Sequence, residues 1–230
     1  MVSVAHMSNL SRIKRYPVYR FSMPVIDSSM YLVPADGSCL VVDPCISEEA
    51  GELLRNLGIR ECLVLLTHEH YDHISGVNWL RKRLPCQVVC SACCAQRIED
   101  PQKNLAAYFK AIASLRSREE QREIERYLDP AYSCQADRTY TGRLELPWAG
   151  LTLTLRETPG HSPGSQVAEI GEHWYFTGDS LIPGTPPAVN LPGSNRKRFT
   201  EETRPYLETI PRGSVLFPGH GPETLFDGEL

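Results

Sequence analysis

Along the first ninety residues, short apolar runs alternate with stretches of helical period. SSMYLVPADGSCLVVDP (28–44) is two apolar runs on either side of Asp36-Gly37, a dipeptide that favours a tight hairpin turn. SEEAGELLRNLG (47–58) opens on a capping serine, places Ala50, Leu53, Leu54 and Leu57 on one face, and stops at Gly58. ECLVLLT (61–67) is an unbroken apolar run, the pattern of a strand covered on both faces. ISGVNWLRKRL (74–84) predicts a helix, and CQVVC (86–90) a further strand.

The middle of the chain has a different period. NLAAYFKAIASLRSREEQREIERYL (104–128) sets Leu105, Tyr108, Phe109, Ile112 and Leu115 at helical spacing, then carries Ile124, Tyr127 and Leu128 through a charged stretch. Two amphipathic helices are expected between Pro101 and Pro130. They form a helical insertion over about residues 95–133 that either covers the core or acts as a lid. From residue 137 strand patterns return in RTYTG, RLELPWAG, LTLTLRET, SQVAEIG and HWYFTGD. TEETRPYLETI (200–210) reads as a helix and SVLFPGH (214–220) as a last short strand. The expectation is an α/β protein of two packed sheets with helices outside, in a single domain over 16–230. Residues 1–15 form a flexible N-terminus, where the His-Met before a second start is what a cloning remnant would leave.

Composition narrows the functional classes. Of the 230 residues 41% are hydrophobic and 23% charged, and the net charge is −4, so no basic face for nucleic acid or anionic membrane is expected. A small-molecule substrate fits better, and a homodimer is compatible with it. No apolar run is long enough for a membrane span and no signal-peptide core is present, which points to the cytoplasm. Eight cysteines then read as reduced, half-buried thiols, and the Cys90, Cys93, Cys94 run has no second ligand pair nearby to make a structural zinc site.

The chemistry is concentrated in seven residues: His68, His70, Asp72 and His73 in THEHYDH, with His161 in TPGHSPGS, Asp179 in FTGDS and His220 in FPGHG. Each sits beside glycine or at a strand end, where side chains are displayed on loops. Imidazole and carboxylate are donors for zinc, iron and manganese. In a loop after the strand, His68 and His70 face one side, while Asp72 and His73 come round to a second centre. His161, Asp179 and His220 complete both shells, with Asp179 as the carboxylate able to lie between two cations. Bound cations keep Asp72 ionised and the histidines neutral, which resolves the crowding of titratable groups.

The order HxHxDH, His, Asp, His resembles the metallo-β-lactamase superfamily, and TPGHSPGS, FTGDSL and PGHGPET resemble its glyoxalase II-type hydrolases. The resemblance spans roughly residues 20–95 and 135–225. It implies a four-layer αββα sandwich with the site at one edge. It also implies one divalent metal on His68, His70 and His161 and a second on Asp72, His73 and His220, with Asp179 bridging. Zinc is the first expectation, with iron or manganese as alternatives. A hydroxide held between the metals would then attack, with Asp72 orienting it and taking its proton.

The substrate class follows partly by elimination. β-Lactamases of the superfamily usually carry Cys or Ser at the bridging position, which Asp179 does not match. Nuclease members carry larger additions and basic surface. Lactonases often have a tyrosine shortly after the bridging aspartate, where this chain has Ser180, Leu181, Ile182 and Pro183. A thioester of coenzyme A or glutathione type leads, because a thiolate leaves without a strong general acid. Arg196, Lys197 and Arg198 are candidates to grip a phosphorylated carrier. The alternatives are a lactone or other ester, a mononuclear-iron persulfide dioxygenase on the same scaffold, and last a metal-binding regulator without turnover.

Overall fold

Asp36 and Gly37 both take positive φ, 48° and 85°, and the runs beside them pair antiparallel, as in a type I′ hairpin. The hairpin belongs to the first of two six-stranded sheets, in a computed structural model that describes residues 12–23, 26–114, 117–125 and 127–230. A ribbon of β1 (Arg12–Ile13) and β2 (Tyr16–Pro17) precedes the sheet. Residues 1–11 of the expected N-terminal segment, His6 among them, lie outside the described residues.

The first sheet runs in chain order: β3 (Tyr19–Ser22), β4 (Ser29–Ala35), β5 (Ser38–Val42), β6 (Glu61–Leu65), β7 (Cys86–Ser91) and β8 (Arg138–Tyr140). Its first three strands are antiparallel, and from β5 onward neighbours are parallel. The second sheet follows, also in chain order: β9 (Arg143–Trp148), β10 (Leu151–Glu157), β11 (Gln166–Ile170), β12 (Trp174–Gly178), β13 (Val215–Pro218) and β14 (Thr224–Leu225). Only β12 and β13 in it are parallel.

Side-chain alternation assigns the layers. Leu40, Val42, Leu65 and Val89 of the first sheet meet Leu153, Leu155, Ala168 and Phe176 of the second in one buried core. The opposite face of the first sheet, with Val41, Val64 and Val88, is covered by α1 (Glu48–Asn56), α2 (Tyr71–Ile74), α3 (Val77–Arg81) and α4 (Ala92–Ile98). Phe199, Leu207 and Ile210 cover the outer face of the second. These are the layers of an αββα sandwich. β6 is buried on both faces, as its unbroken apolar run predicts.

Helix lengths differ from expectation. The helix expected over 74–84 is two short helices, α2 and α3, broken at Ser75-Gly76. Gly76 N–H bonds to Pro44 O at 2.7 Å, so the chain after β5 takes the donor that a continuous helix would use. The run Cys90–Cys94, read without a helix, contains the start of α4, capped by Ser91 Oγ accepting from Cys94 N.

The insertion holds a 3₁₀ turn at Ala106–Tyr108, then α5 (Phe109–Ala113) and α6 (Arg118–Glu125), both shorter than the expected pair; Leu115 lies outside the described residues. Asn104 explains the late start. Its buried amide donates to Ile98 O (3.3 Å) and Tyr132 O (2.9 Å) and accepts from Ala106 N, which turns the chain through Leu105 at φ 68°. Among the described residues no helix is long and apolar enough to cross a membrane, and all eight cysteines are free thiols.

A methyl group on Gly76 would sit 2.6 Å from the Cys45 backbone. Gly76→Ala is therefore expected to cost about 1–3 kcal/mol through overpacking. For a chain this size that lowers the melting temperature by roughly 3–10 °C. Thermal unfolding followed by circular dichroism measures it, and an unchanged midpoint would show that residues 44–45 can retreat.

Candidate metal centre

The buried strand β6 ends at Leu65 and delivers Thr67, His68, Glu69 and His70 to one end of the sandwich. His70 is extended (φ −63°, ψ 144°), and α2 begins directly after it. Asp72 and His73 thus ride on a helical turn, where a loop was expected; that turn swings them away from His68 and His70 toward a second group of ligands. His161 comes from the connection between β10 and β11, Asp179 follows β12, and His220 follows β13. The first four residues come from one sheet and the last three from the other, so the cluster lies on the seam between them.

The structure brings all seven together. His68, His70 and His161 offer nitrogens within 4.8 Å of one another, and Asp72, His73 and His220 form a second such group. Asp179 touches both: its Oδ2 lies 3.5 Å from His161 Nε2 and 3.5 Å from His220 Nε2, and its Oδ1 is 3.6 Å from His73 Nε2. Asp72 Oδ2 stands 3.3 Å from His73 Nε2 and 3.6 Å from His220 Nε2.

Four of the five imidazoles are fixed from outside through Nδ1. His73 Nδ1 donates to Asp43 Oδ2 (2.9 Å), His161 Nδ1 to Ala188 O (3.0 Å) and His220 Nδ1 to Ile26 O (3.2 Å). His68 Nδ1 donates to Thr67 Oγ1 (3.1 Å), whose own hydroxyl donates to Asp43 Oδ2 (2.5 Å). Protons placed on Nδ1 leave each Nε2 lone pair facing inward, the tautomer a metal ligand needs.

Asp43 also accepts from Thr67 N (2.7 Å) and is 2% exposed. Sequence reasoning missed it. Its place follows from the parallel pairing of Val42 with Leu65, which sets Asp43 beside Thr67 across the ends of β5 and β6. The only local signal is a carboxylate ending a strand in LVVDP.

The electrostatics describe a centre built for positive charge. Burial pushes the imidazolium form of His68 well below its ordinary range, and His73 and His70 push it further. Burial and His161 bring His70 down to about 3. Asp72 is buried too, yet His73 and His220 hold its carboxyl down at about 2. Against its burial, Asp179 is held well below the carboxylate range by His73, by a hydrogen bond from His220, and by His68 and His161. Burial likewise opposes charge on His73, but Asp72, Asp179 and Asp43 hold its proton far above the usual imidazole range. The proton on His73 thus supplies the positive charge that the two carboxylates demand.

Buried His68 Nε2, His70 Nε2, His73 Nε2 and Asp179 Oδ1 have no hydrogen-bond partner. Gathered at one point, these atoms present lone pairs to a common centre once His73 gives up its second proton. Their donor set suits divalent cations, so the residues present fit a metal centre.

Glu69 and Tyr71, which the alternation of THEHYDH makes spacers, have structural roles of their own. Glu69 is fully buried, pairs with Arg97 Nε (2.5 Å) and accepts from Ser162 Oγ (2.8 Å) and Gly164 N (3.2 Å). It ties the first ligand loop to the loop that carries His161. Tyr71 OH donates to Tyr127 O (2.5 Å) and accepts from Asp129 N (3.0 Å), joining α2 to the end of the insertion.

The basic run Arg196–Arg198 is exposed, and the ion pairs of Lys197 and Arg198 are with residues one helical turn on. Asn195 N donates to Gly160 O (2.7 Å), so the segment packs on the loop before His161. Arg198 makes two contacts with Glu202 (2.8 and 2.7 Å), Lys197 lies 4.0 Å from Glu201, and Arg196 carries its backbone carbonyl to Thr200 Oγ1.

Fold and site define a metal-binding α/β sandwich of hydrolase type. The family described as the metallo-beta-lactamase superfamily matches residues 23–228, and the chain belongs to that superfamily. Its members are mainly metal-dependent hydrolases that bind divalent metals, usually two. The chain is 30% identical over 206 residues to "Probable metallo-hydrolase YqgX" of Bacillus subtilis (strain 168), covering 88% of this chain and 90% of that one. It is 28% identical over 168 residues to the hydroxyacylglutathione hydrolase of Aeromonas hydrophila subsp. hydrophila, covering 73% of this chain and 51% of the relative, so it spans about half that protein's length. In fold it is similar to the crystal structure of BLEG-1 B3 metallo-beta-lactamase (TM-score 0.76, 24% identity, 90% and 93% covered).

Asp43→Asn replaces one acceptor with an amide donor that faces Thr67 or His73. Affinity for zinc is expected to fall about 10- to 100-fold, measured by competition with a chromophoric chelator; unchanged affinity would show that His73 needs no orienting carboxylate. A pH prediction follows from His73. Its folded-state pKa is raised, so the stability it gives the metal-free protein is present below the unfolded value of about 6.5 and is lost as pH rises through the folded one. Metal-loaded protein gains over the same window, because the deprotonated imidazole is the ligand. Urea unfolding at about pH 6 and about pH 9, with and without chelator, is expected to show slopes of opposite sign.

Proposed function

We propose that the protein is a dinuclear metal-dependent hydrolase of thioesters, cleaving an acyl group from a small thiol carrier of coenzyme A or glutathione type. The observation that carries the hydrolase reading is the pair of three-residue clusters joined by Asp179, with their inward atoms unsatisfied. Two divalent cations, zinc being the first expectation for this donor set, would supply Lewis acidity that polarises a carbonyl and acidifies a bound water. His68, His70 and His161 would hold one, and Asp72, His73 and His220 the other, with Asp179 between them.

The chain's own residues supply the rest. Asp72, ionised at neutral pH, is the acceptor for the proton of the attacking water as the new C–O bond forms. Asp43, Ala188 and Ile26 hold three imidazoles in place through Nδ1, so the site does not reorganise during the reaction. A thiolate departs with a pKa near 8.5, so no strong general acid is needed on the leaving side. Similarity to a hydroxyacylglutathione hydrolase supports the thioester class.

Metal analysis with a hydrolysis screen tests this reading. Two equivalents of metal with turnover of an acyl thioester are expected. One iron with oxygen consumption on a persulfide, or turnover of lactones alone, would replace it. Asp179→Ala is expected to lower the bound metal below two equivalents and to cut kcat/KM by more than about a hundredfold, beyond the ceiling for residues that only orient a ligand. Metal content and activity both unchanged in that variant would overturn the dinuclear centre.

A further inference from the structure

Three cysteines stand in one row across the first sheet. Cys39 on β5 is the register partner of Cys62 on β6, and Cys62 is the register partner of Cys86 on β7. Partners on adjacent strands share a face, with strands about 4.8 Å apart, within the Cα separation that a disulfide spans. Cys86 Sγ donates to Leu84 O at 3.2 Å, and Cys39 Sγ is turned toward Leu40 O at 3.4 Å. Cys62 and Cys86 line a surface pocket of about 400 Å³ together with Glu61, Pro85, Gln87 and Trp148. The pocket lies at the end of β6 away from His68, so no metal ligand takes part in it.

We propose that Cys62 and Cys86 are a thiol-oxidation site, closing to a reversible disulfide by exchange with a low-molecular-weight disulfide that enters this pocket. Cys86 is the attacking residue. It is half-buried where Cys62 is 3% exposed, so it is the thiol that a small disulfide in the pocket reaches first. Its thiolate attacks one sulfur of the small disulfide, a mixed disulfide forms, and the first small thiolate leaves and takes up a proton. Cys62 then loses its proton and attacks the Cys86 sulfur, expelling the second small thiol. Two protein thiols are oxidised to one disulfide and one small disulfide is reduced to two thiols. The ring that closes contains His68, His70, Asp72 and His73, so oxidation staples the base of the segment that carries four of the candidate ligands.

The experiment treats the full chain with excess oxidised glutathione and then counts thiols under denaturing conditions. The count is expected to fall from the eight in the sequence to six and to return to eight with dithiothreitol. Tryptic mapping is expected to link the peptide 61–81 to the peptide 84–97. The Cys86→Ser variant, changed at a half-buried position and separately Cys62→Ser, are expected to lose that link. Eight persistent thiols, glutathione retained on Cys86, a Cys39–Cys62 link, or the same loss of two thiols in Cys86→Ser would each overturn the proposal.

Discussion

The carboxylate of Asp43 is where the requirements of the fold and of the site meet. It accepts from the Thr67 amide, the Thr67 hydroxyl and the His73 ring in a space closed to solvent, and through Thr67 it reaches His68 as well. An isolated buried carboxylate is costly, and burial does push its pKa up, against which His73 and Thr67 act. With those donors around it, Asp43 becomes a fixed anchor for two imidazoles. One of these is read as serving the first metal and the other the second, so a single side chain between β5 and β6 sets the relative position of both groups.

The same logic extends across the seam between the sheets. Tyr31, in β4, donates to Pro218 O (2.7 Å) and packs edge-on to Phe176 and Phe217. Ser29 N donates to Gly219 O (2.7 Å), and Ser28 pairs with His220 in an isolated bridge. Gln166 N donates to Thr67 O (2.7 Å) from the other sheet. These contacts hold the His220 and His161 loops of the second sheet against the ligand segment of the first. Without them the two halves of the cluster would be separate and too open to bind tightly. The cluster is therefore a product of sheet packing, and a cation bound there would add to the stability of that packing.

Strands and the clustered side chains were readable where their signals are local. Alternating or unbroken apolar runs between glycines marked the strands, and His beside Gly at strand ends marked His161 and His220. Helices were read too long, because tertiary hydrogen bonds outcompete period: Gly76 gives its N–H to Pro44, and Asn104 turns the chain before the insertion. Asp43, Glu69 and Arg97 could not be singled out as partners, since their roles depend on strand register and on loops distant in sequence. Residues whose meaning is pairwise are invisible until the pairs are known.

Asn104 also bears on how such a protein diversifies. Its amide clasps Ile98 O, where the insertion departs, to Tyr132 O, where it returns, so the two ends are fastened to each other independently of what lies between. Closing a longer loop on fixed ends adds little entropy cost, about 0.6 kcal/mol per doubling of length. The stretch between can therefore change in length at its surface, while Phe109 and Ile124 stay packed in the core and Tyr127 and Asp129 stay tied to Tyr71. Descendants of this chain can lengthen or shorten it between those anchors, while the seven clustered side chains keep their places.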